Sequence, residues 1–277
     1  MIRKLTRRTG GILERRVFLA GLAGALSARA AFAAGAPRLR WRSTVYTHPA
    51  TDPYDLRNLY GFNHAPSVVG LPDGRFLTAW FSGPFEASVH QVVLGSYSSD
   101  GGRTWSEASV LQDFPRKSDF DPAFIADGKR TWFFFSAGRW NRYPFVRGEK
   151  QGFVGPDSYQ TYARWSDDSG KTWSEPTAIA PRRGCRSNGI RLTTGELLLP
   201  TYDFGDRTAG VLRSADSGKT WQVQGRLTTP AGADEPTLAE LDGNRILMCL
   251  RTHDGFLWRT FSRDRGQTWS ELSLIHI

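Results

Sequence analysis

Residues able to move protons or hold anions recur at one position of a repeating pattern in this chain. The position reads Asp121-Pro122, Asn188-Gly189 and Glu235-Pro236, and in the first repeat His64-Ala65-Pro66, with His64 one place earlier. Arg251 follows Glu235 at the end of the run Leu247-Met248-Cys249-Leu250. The planar guanidinium of arginine grips a carboxylate through two parallel hydrogen bonds. A carboxylate beside a phenol can take its proton, which makes the phenol a nucleophile. A plain structural ion pair would also use Glu235 and Arg251. The convergence of His, Asp, Asn and Glu where strands begin favours a site, since a purely structural repeat has less need of them. Other chemistries leave no trace: there is no G-x-S-x-G, P-loop, H-E-x-x-H or G-x-G-x-x-G.

The elements that must position these residues are announced by a second repeat. The pattern S-x-D-x-G-x-T-W occurs at residues 98–105, 166–173, 214–221 and 262–269. Its tryptophans, Trp105, Trp173, Trp221 and Trp269, are spaced by 68, 48 and 48 residues. Such a period marks a repeat architecture. The aspartate accepts backbone N–H groups, the glycine supplies a left-handed turn position, and the tryptophan pins the loop to a sheet.

Each repeat divides into four short β-like runs, with the motif joining the last two. The first runs are expected to start at Ala65, Pro122, Gly189 and Pro236. Turn pairs such as Asp73-Gly74, Asp127-Gly128 and Asp242-Gly243 separate the first two runs. Four-stranded units at this spacing are β-propeller blades, so the fold class is all-β.

The motif resembles the Asp-box of sialidase-like β-propellers, and the resemblance covers nearly all of the chain after residue 60. It implies a six-bladed propeller, of which about four blades are encoded here, as residues 34–271. It also implies that Asp100, Asp168, Asp216 and Asp264 hold blades together and do no chemistry. The phrase Asp234-Glu235-Pro236-Thr237-Leu238, with Arg251 after it, resembles a sialidase active-site segment. By that likeness Glu235 activates a tyrosine nucleophile and Arg251 clamps the substrate carboxylate. His64 replaces the arginine of the family's Arg-Ile-Pro phrase, and Glu86 or Asp121 is the acid/base candidate. Asn188 and Tyr202 are further candidates for contact with substrate. The tyrosine nucleophile and a third arginine are expected in blades beyond this sequence.

The leading expectation is therefore an exo-sialidase-like glycoside hydrolase acting on sialic acid or another acidic sugar, with no cofactor and no metal. One alternative is a propeller polysaccharide lyase on uronate glycans, with His64 and Tyr202 or Tyr159 abstracting a proton and Arg251 neutralising the carboxylate. Another is a propeller that binds glycans without catalysis.

Residues 1–33 read as an export address. Arg15-Arg16-Val17-Phe18-Leu19 is a twin-arginine core, followed by a weakly apolar run over residues 20–27 and the small-x-small site Ala31-Phe32-Ala33. The run is too short to span a bilayer. The expected location is the bacterial periplasm or beyond. This segment carries a net charge of +6, so the chain's formal +9 falls to about +3 without it. The high overall pI is thus no argument for nucleic acid binding. Cys185 and Cys249 have no metal-ligand spacing, and nothing in their spacing demands a disulfide. The insertion 139–158, aromatic and basic, is expected to border the site. Residues 272–277 (Leu-Ser-Leu-Ile-His-Ile) look foreign to the repeat, like a translated sequencing adapter.

Overall fold

The computed structural model describes residues 41–48, 60–139 and 158–275. The 1–33 segment and most of the 139–158 insertion lie outside these. Four antiparallel sheets follow one another along the chain. The first blade is β1 (Phe62–Gly70), β2 (Phe76–Gly83), β3 (Val92–Ser98) and β4 (Ser109–Gln112). The second is β5 (Ser118–Asp127), β6 (Arg130–Gly138), β7 (Tyr159–Ser166) and β8 (Thr177–Pro181). The third comprises β9 (Gly184–Cys185), β10 (Ile190–Arg191), β11 (Leu197–Asp203), β12 (Thr208–Ser214) and β13 (Gln222–Leu227). The fourth is β14 (Ala233–Leu241), β15 (Arg245–Thr252), β16 (Leu257–Ser262) and β17 (Ser273–Leu274). The innermost strands β1, β5, β10 and β14 pack side by side in that order, which is a four-blade propeller arrangement. Residues 272–275, foreign-looking in sequence, supply the outer strand of the fourth blade: β17 pairs with β16 at Trp258 and Arg259.

Strand β6 shows why these sequences form stacked blades. Successive side chains of a strand point to opposite faces. Phe133 and Phe135 face the first blade, in a cluster with Leu77, Ala79 and Val93. Trp132 and Phe134 face the third, in a cluster with Leu197, Leu199 and Leu212. Leu198, between Leu197 and Leu199, points the other way, towards Ile246, Met248 and Leu250 of the fourth blade. Both faces of β6 are buried, so its middle reads as a continuous apolar run, Trp132-Phe133-Phe134-Phe135, with no polar alternation. Burying each such side chain contributes about 1.5–3 kcal/mol.

The Asp-box is held by its own polar atoms. Asp100 Oδ1 accepts from Arg103 N and Thr104 N, each at 2.9 Å, and Oδ2 accepts from the Thr104 hydroxyl at 2.6 Å. The same hydrogen bonds recur around Asp168 and Asp264, and Asp216 repeats those to Thr220. The box tryptophans reach further than the sheet they follow. Trp173 packs edge-on against Phe133 in the junction with the first blade, and Trp221 against Phe134 in the junction with the second. Trp269 joins the cluster between the third and fourth. Each box therefore staples its blade to the preceding one. Trp105 instead donates to Ser43, whose segment lays Val45 and Tyr46 on Trp80, Val92 and Leu94.

Three innermost strands begin earlier than the sequence suggests: at Phe62, Ser118 and Ala233. Ala65, Asp121 and Glu235 each adopt a left-handed conformation (φ 57, 52 and 41) immediately before a proline. The ladder shifts register there, between His64 and Ser67, Phe120 and Ala123, Asp234 and Thr237. A bulge leaves the proline, which has no N–H to donate, out of the ladder and lets pairing resume beyond it. The third blade solves the same problem differently. Its innermost strand is broken, β9 and β10 both pairing with β11 while residues 186–189 leave the ladder.

Candidate active site

The bulges aim side chains at one cleft. A cavity of about 100 Å³ is lined by His64, Phe81, Glu86, Ala87, Gln91, Phe120, Asp121, Arg186, Tyr202, Phe204 and Glu235. All four blades contribute. A left-handed non-glycine residue carries a strain of roughly 1–3 kcal/mol, which surrounding structure must hold in place. Ala65 shows the same strain with no chemistry to perform. The bulge is thus a feature of the blade, and the second and fourth blades use it to present Asp121 and Glu235.

Asp121 is buried beneath the cleft. Tyr202 of β11 donates its phenol to Asp121 Oδ2 at 2.8 Å. Arg186 Nε lies 3.8 Å from Asp121 Oδ1, and the Cys185 thiol reaches the Asp121 carbonyl at 3.3 Å. Burial pushes the Asp121 carboxyl up to about 7; Tyr202 and Arg186 oppose that, while Glu235 and Glu86 reinforce it. Burial, and then the Asp121 charge, hold the Tyr202 phenol well above its ordinary range. Burial likewise pushes up the Cys185 thiol, leaving it inert. Cys185 and Cys249 are both free thiols.

Glu235 accepts a 2.8 Å hydrogen bond from Arg251 Nη1 across the β14–β15 pair. That hydrogen bond, with the Glu235 charge, raises the Arg251 pKa. Beside it His253 Nε2 lies 2.5 Å from Asp234 Oδ2. At the opposite rim His64 stands edge-on to Phe81, its Nδ1 3.9 Å from Glu86 Oε1. Glu86 is exposed, but its loop is fixed. Gln91 accepts from Ala87 N and donates to the Asp119 carbonyl, and the Ser118 hydroxyl donates to the Ser88 carbonyl.

The structure thus gathers Glu235, Asp121, Glu86, His64 and Tyr202 around one cleft, with Arg251 behind Glu235. Two candidates are placed elsewhere. Asn188 departs from the register assigned to it: its amide accepts from Phe124 N and donates to the Val68 carbonyl, tying three blades together. The adjoining Gly189 is compelled, because a Cβ there would lie 2.5 Å from the Leu198 carbonyl oxygen. Tyr159 is buried against Asp203 Oδ1 at 3.2 Å and accepts from Phe204 N, outside the cleft lining. One charged lining residue escaped the sequence reading: Arg186. The signal that could have found it is the basic run Arg182-Arg183-Gly184-Cys185-Arg186 just before Asn188. Among the described residues no cluster of His, Cys, Asp and Glu could hold a metal, and no helix is long and apolar enough to cross a membrane.

Comparisons with known proteins agree with this fold. The BNR repeat-like domain family matches residues 74–277. Over 99% of the chain, a sialidase of Micromonospora viridifaciens is 28% identical, and the match covers 46% of that protein. A sialidase of Bacteroides fragilis (strain YCH46) is 26% identical over 74% of the chain and 42% of its own length. The chain spans about half the length of the curated relatives it matches. Among solved structures, the Hadza microbial sialidase Hz136 superposes with a TM-score of 0.63 at 22% identity, covering 78% of this chain and 47% of that one. A leech intramolecular trans-sialidase superposes at 0.66 with 16% identity, covering 86% and 53%. With four Asp-boxes, four stacked blades and a family match over most of its length, the chain belongs to the BNR repeat-like domain family, as a sialidase-like BNR propeller.

Proposed function

We propose that this chain carries part of the active site of an exo-sialidase-like glycoside hydrolase acting on sialic acid or another acidic sugar. The observation that carries the reading is one cleft holding two carboxyl groups in opposite environments. Glu235 is paired to Arg251 at 2.8 Å, and Asp121 is buried against Tyr202 with its pKa pushed to about 7. Environments that differ in this way divide a base from an acid.

In this reading Glu235 takes the proton of a nucleophilic phenol supplied from beyond the four described blades. Tyr202 is a poor nucleophile, since its phenol stays protonated and is bonded to Asp121. The general acid gives its proton to the leaving glycosidic oxygen as the C–O bond breaks, and water later takes the sugar. Asp121 suits that task because an acid poised near the working pH transfers its proton most efficiently. Glu86, exposed at the rim, is the second candidate. Arg251 holds Glu235 and, in this reading, clamps the substrate carboxylate.

The proposal extends to location. Arg15 and Arg16 would route the folded chain to the bacterial periplasm or beyond, where sialylated glycans are met. The deciding experiment incubates the complete gene product with a fluorogenic sialoside and with a uronate polysaccharide. Release of free sialic acid, lost in Glu235→Gln, supports the hydrolase. A product absorbing in the ultraviolet from the uronate polymer would replace it with a lyase. Binding without turnover would leave a glycan-binding propeller.

A further inference from the structure

We propose that the seam between the second and third blades carries a second ligand site, a groove that takes one pyranose ring of a neutral glycan. The groove has a volume of about 300 Å³ and is lined chiefly by Arg130, Trp132, Trp165, Ser217, Lys219 and Trp221. It shares no lining residue with the cleft and does not depend on the hydrolase reading.

The three described seams follow one plan, and two of them are sealed. At each, an Asp-box turn abuts the preceding blade through Ser169, Ser217 or Arg265, all left-handed (φ 61, 59 and 61). Between the first and second blades Arg75 Nη2 donates to the Ser169 carbonyl at 2.8 Å, and the Tyr97 hydroxyl donates to the Gly170 carbonyl at 2.8 Å. Between the third and fourth, Arg213 Nε donates to the Arg265 carbonyl at 2.9 Å. Between the second and third, no donor among the described residues reaches the carbonyl of Ser217 or Gly218. Both of these residues line the groove.

Two sequence changes leave that seam open. Arg130 stands one residue before its strand pairs with the box serine, as Arg75 does. Its Nε and Nη2 are instead drawn to Asp167 of its own blade, at 2.7 Å each. The first and third boxes have Ser99 and Ala215 at the place of Asp167, and neither carries a charge. Trp165 takes the place of Tyr97 directly before the box serine, so the hydroxyl that seals the first seam is missing.

The lining selects the ligand. Trp132 is buried, and Trp165 and Trp221 are half-buried, their ring centroids 5.6 and 6.0 Å from that of Trp132. An aromatic lining with a few polar groups, at this volume, suits a single small ring. The Arg130 guanidinium lies over Trp132 and Trp165, 5.5 and 5.3 Å from their centroids. Lys219 is exposed and makes no ion pair among the described residues, and no carboxylate lines the groove. An incoming lysine or arginine, which would imitate Arg75, is repelled by these two cations. A neutral sugar meets the chemistry: its C–H faces cover indoles, and its hydroxyls donate to the carbonyls that the other seams satisfy internally.

The test titrates the full chain with methyl β-D-glucopyranoside, whose ring shows C–H bonds on both faces, and with its 2-amino-2-deoxy analogue, a cation at pH 6. Ligand-observed NMR reads the affinity. The wild type should bind the glucoside with a dissociation constant on the order of 1 mM. The amine should bind about threefold more weakly, as one like charge across the groove requires. Trp165→Ala should weaken glucoside binding about tenfold. Trp165→Tyr should do the same while melting no lower than the wild type, because the new hydroxyl can seal the seam as Tyr97 does. Lys219→Glu should keep the glucoside affinity and make the amine the tighter ligand. Should Trp165→Ala fail to fold, Trp165→Tyr decides. The site is overturned if the wild type does not bind the glucoside, if the folded Trp165 variants bind it as the wild type does, or if Lys219→Glu leaves the discrimination between the two sugars unchanged.

Discussion

Tyr202 and Asp121 form a buried hydrogen-bonded pair, 2.8 Å apart, that joins the second and third blades directly beneath the cleft. The pair makes a signed prediction. The unfolded chain loses the Asp121 proton near pH 4, whereas the folded chain keeps it to about 7. The folded state therefore binds more protons between these values, and stability falls as pH rises through that window. The Asp121 contribution to the fall is at most about 4 kcal/mol. Asp119, also pushed up by burial, acts in the same direction and stays in every variant. Urea midpoints measured at pH 5 and pH 8 should differ less in Asp121→Asn than in the wild type. An equal difference would mean that Asp121 is ionised throughout.

Glu235→Gln and Arg251→Ala should lower activity without unfolding the protein. Their ion pair is partly exposed, with side chains 30% and 56% accessible. A pair of that kind is worth no more than about 1 kcal/mol to stability. Glu235→Gln keeps the size and removes the proton acceptor, so kcat should fall by about 10² or more with KM little changed. Arg251→Ala should raise KM for carboxylate sugars as well as lower kcat. Full turnover in both variants would return Glu235 and Arg251 to a structural role.

Two glycines at the same place in two Asp-boxes should respond differently to alanine. Gly102 and Gly218 share a left-handed backbone, φ 86 and 83. A Cβ on Gly102 would meet nothing closer than Trp105 at 3.7 Å, whereas on Gly218 it would lie 2.1 Å from the Trp132 ring. Gly102→Ala should cost about 1 kcal/mol, the backbone penalty alone. Gly218→Ala adds overpacking at the junction of the second and third blades, a further 1–3 kcal/mol or so. Equal unfolding midpoints would show that the two junctions are equally loose.

The Asp-box carboxylates run opposite to Asp121 with pH. Asp216 is held down to about 2, first by the Thr220 hydroxyl and then by Thr220 N and the Ser214 hydroxyl. A depressed carboxyl stabilises the fold above its unfolded pKa, and that contribution is lost as pH falls from about 4 towards 2. Asp216→Ala should lower the unfolding midpoint at neutral pH and soften the acid transition. Turnover per folded molecule should stay unchanged, and a selective loss of kcat would place the box in the chemistry.

Replacing Arg15 and Arg16 together by lysine should leave precursor in the cytoplasm, as cell fractionation would show. Unimpaired export of the double variant removes the twin-arginine assignment.

Much of the fold was legible because the Asp-box is self-contained. Asp100, Thr104, Ser98 and Gly102 satisfy one another within eight residues, so the turn is written locally. Glu235 and Asp121 were legible through the prolines that follow them. Those same prolines misplaced the strand starts. A proline reads as the first residue of a strand, whereas here a left-handed bulge carries pairing past it, to Phe62, Ser118 and Ala233. Asn188 was misplaced and Arg186 missed for one reason. The third blade has no proline at this place, its innermost strand breaks, and counting register along an unbroken strand put Asn188 in the funnel. Arg186, two residues earlier, fills that place by a long-range rearrangement that no local pattern encodes.

The backward reach of Trp173, Trp221 and Trp269 bears on how such a molecule can grow. Each blade carries in its own turn the side chain that closes the seam with its predecessor. A gene segment copied in tandem therefore arrives with half of its new junction already built, and the host blade need only offer an apolar face such as Phe133 or Phe134. Blade number becomes cheap to change in evolution, while the cleft, which draws residues from each described blade, is what holds the count fixed.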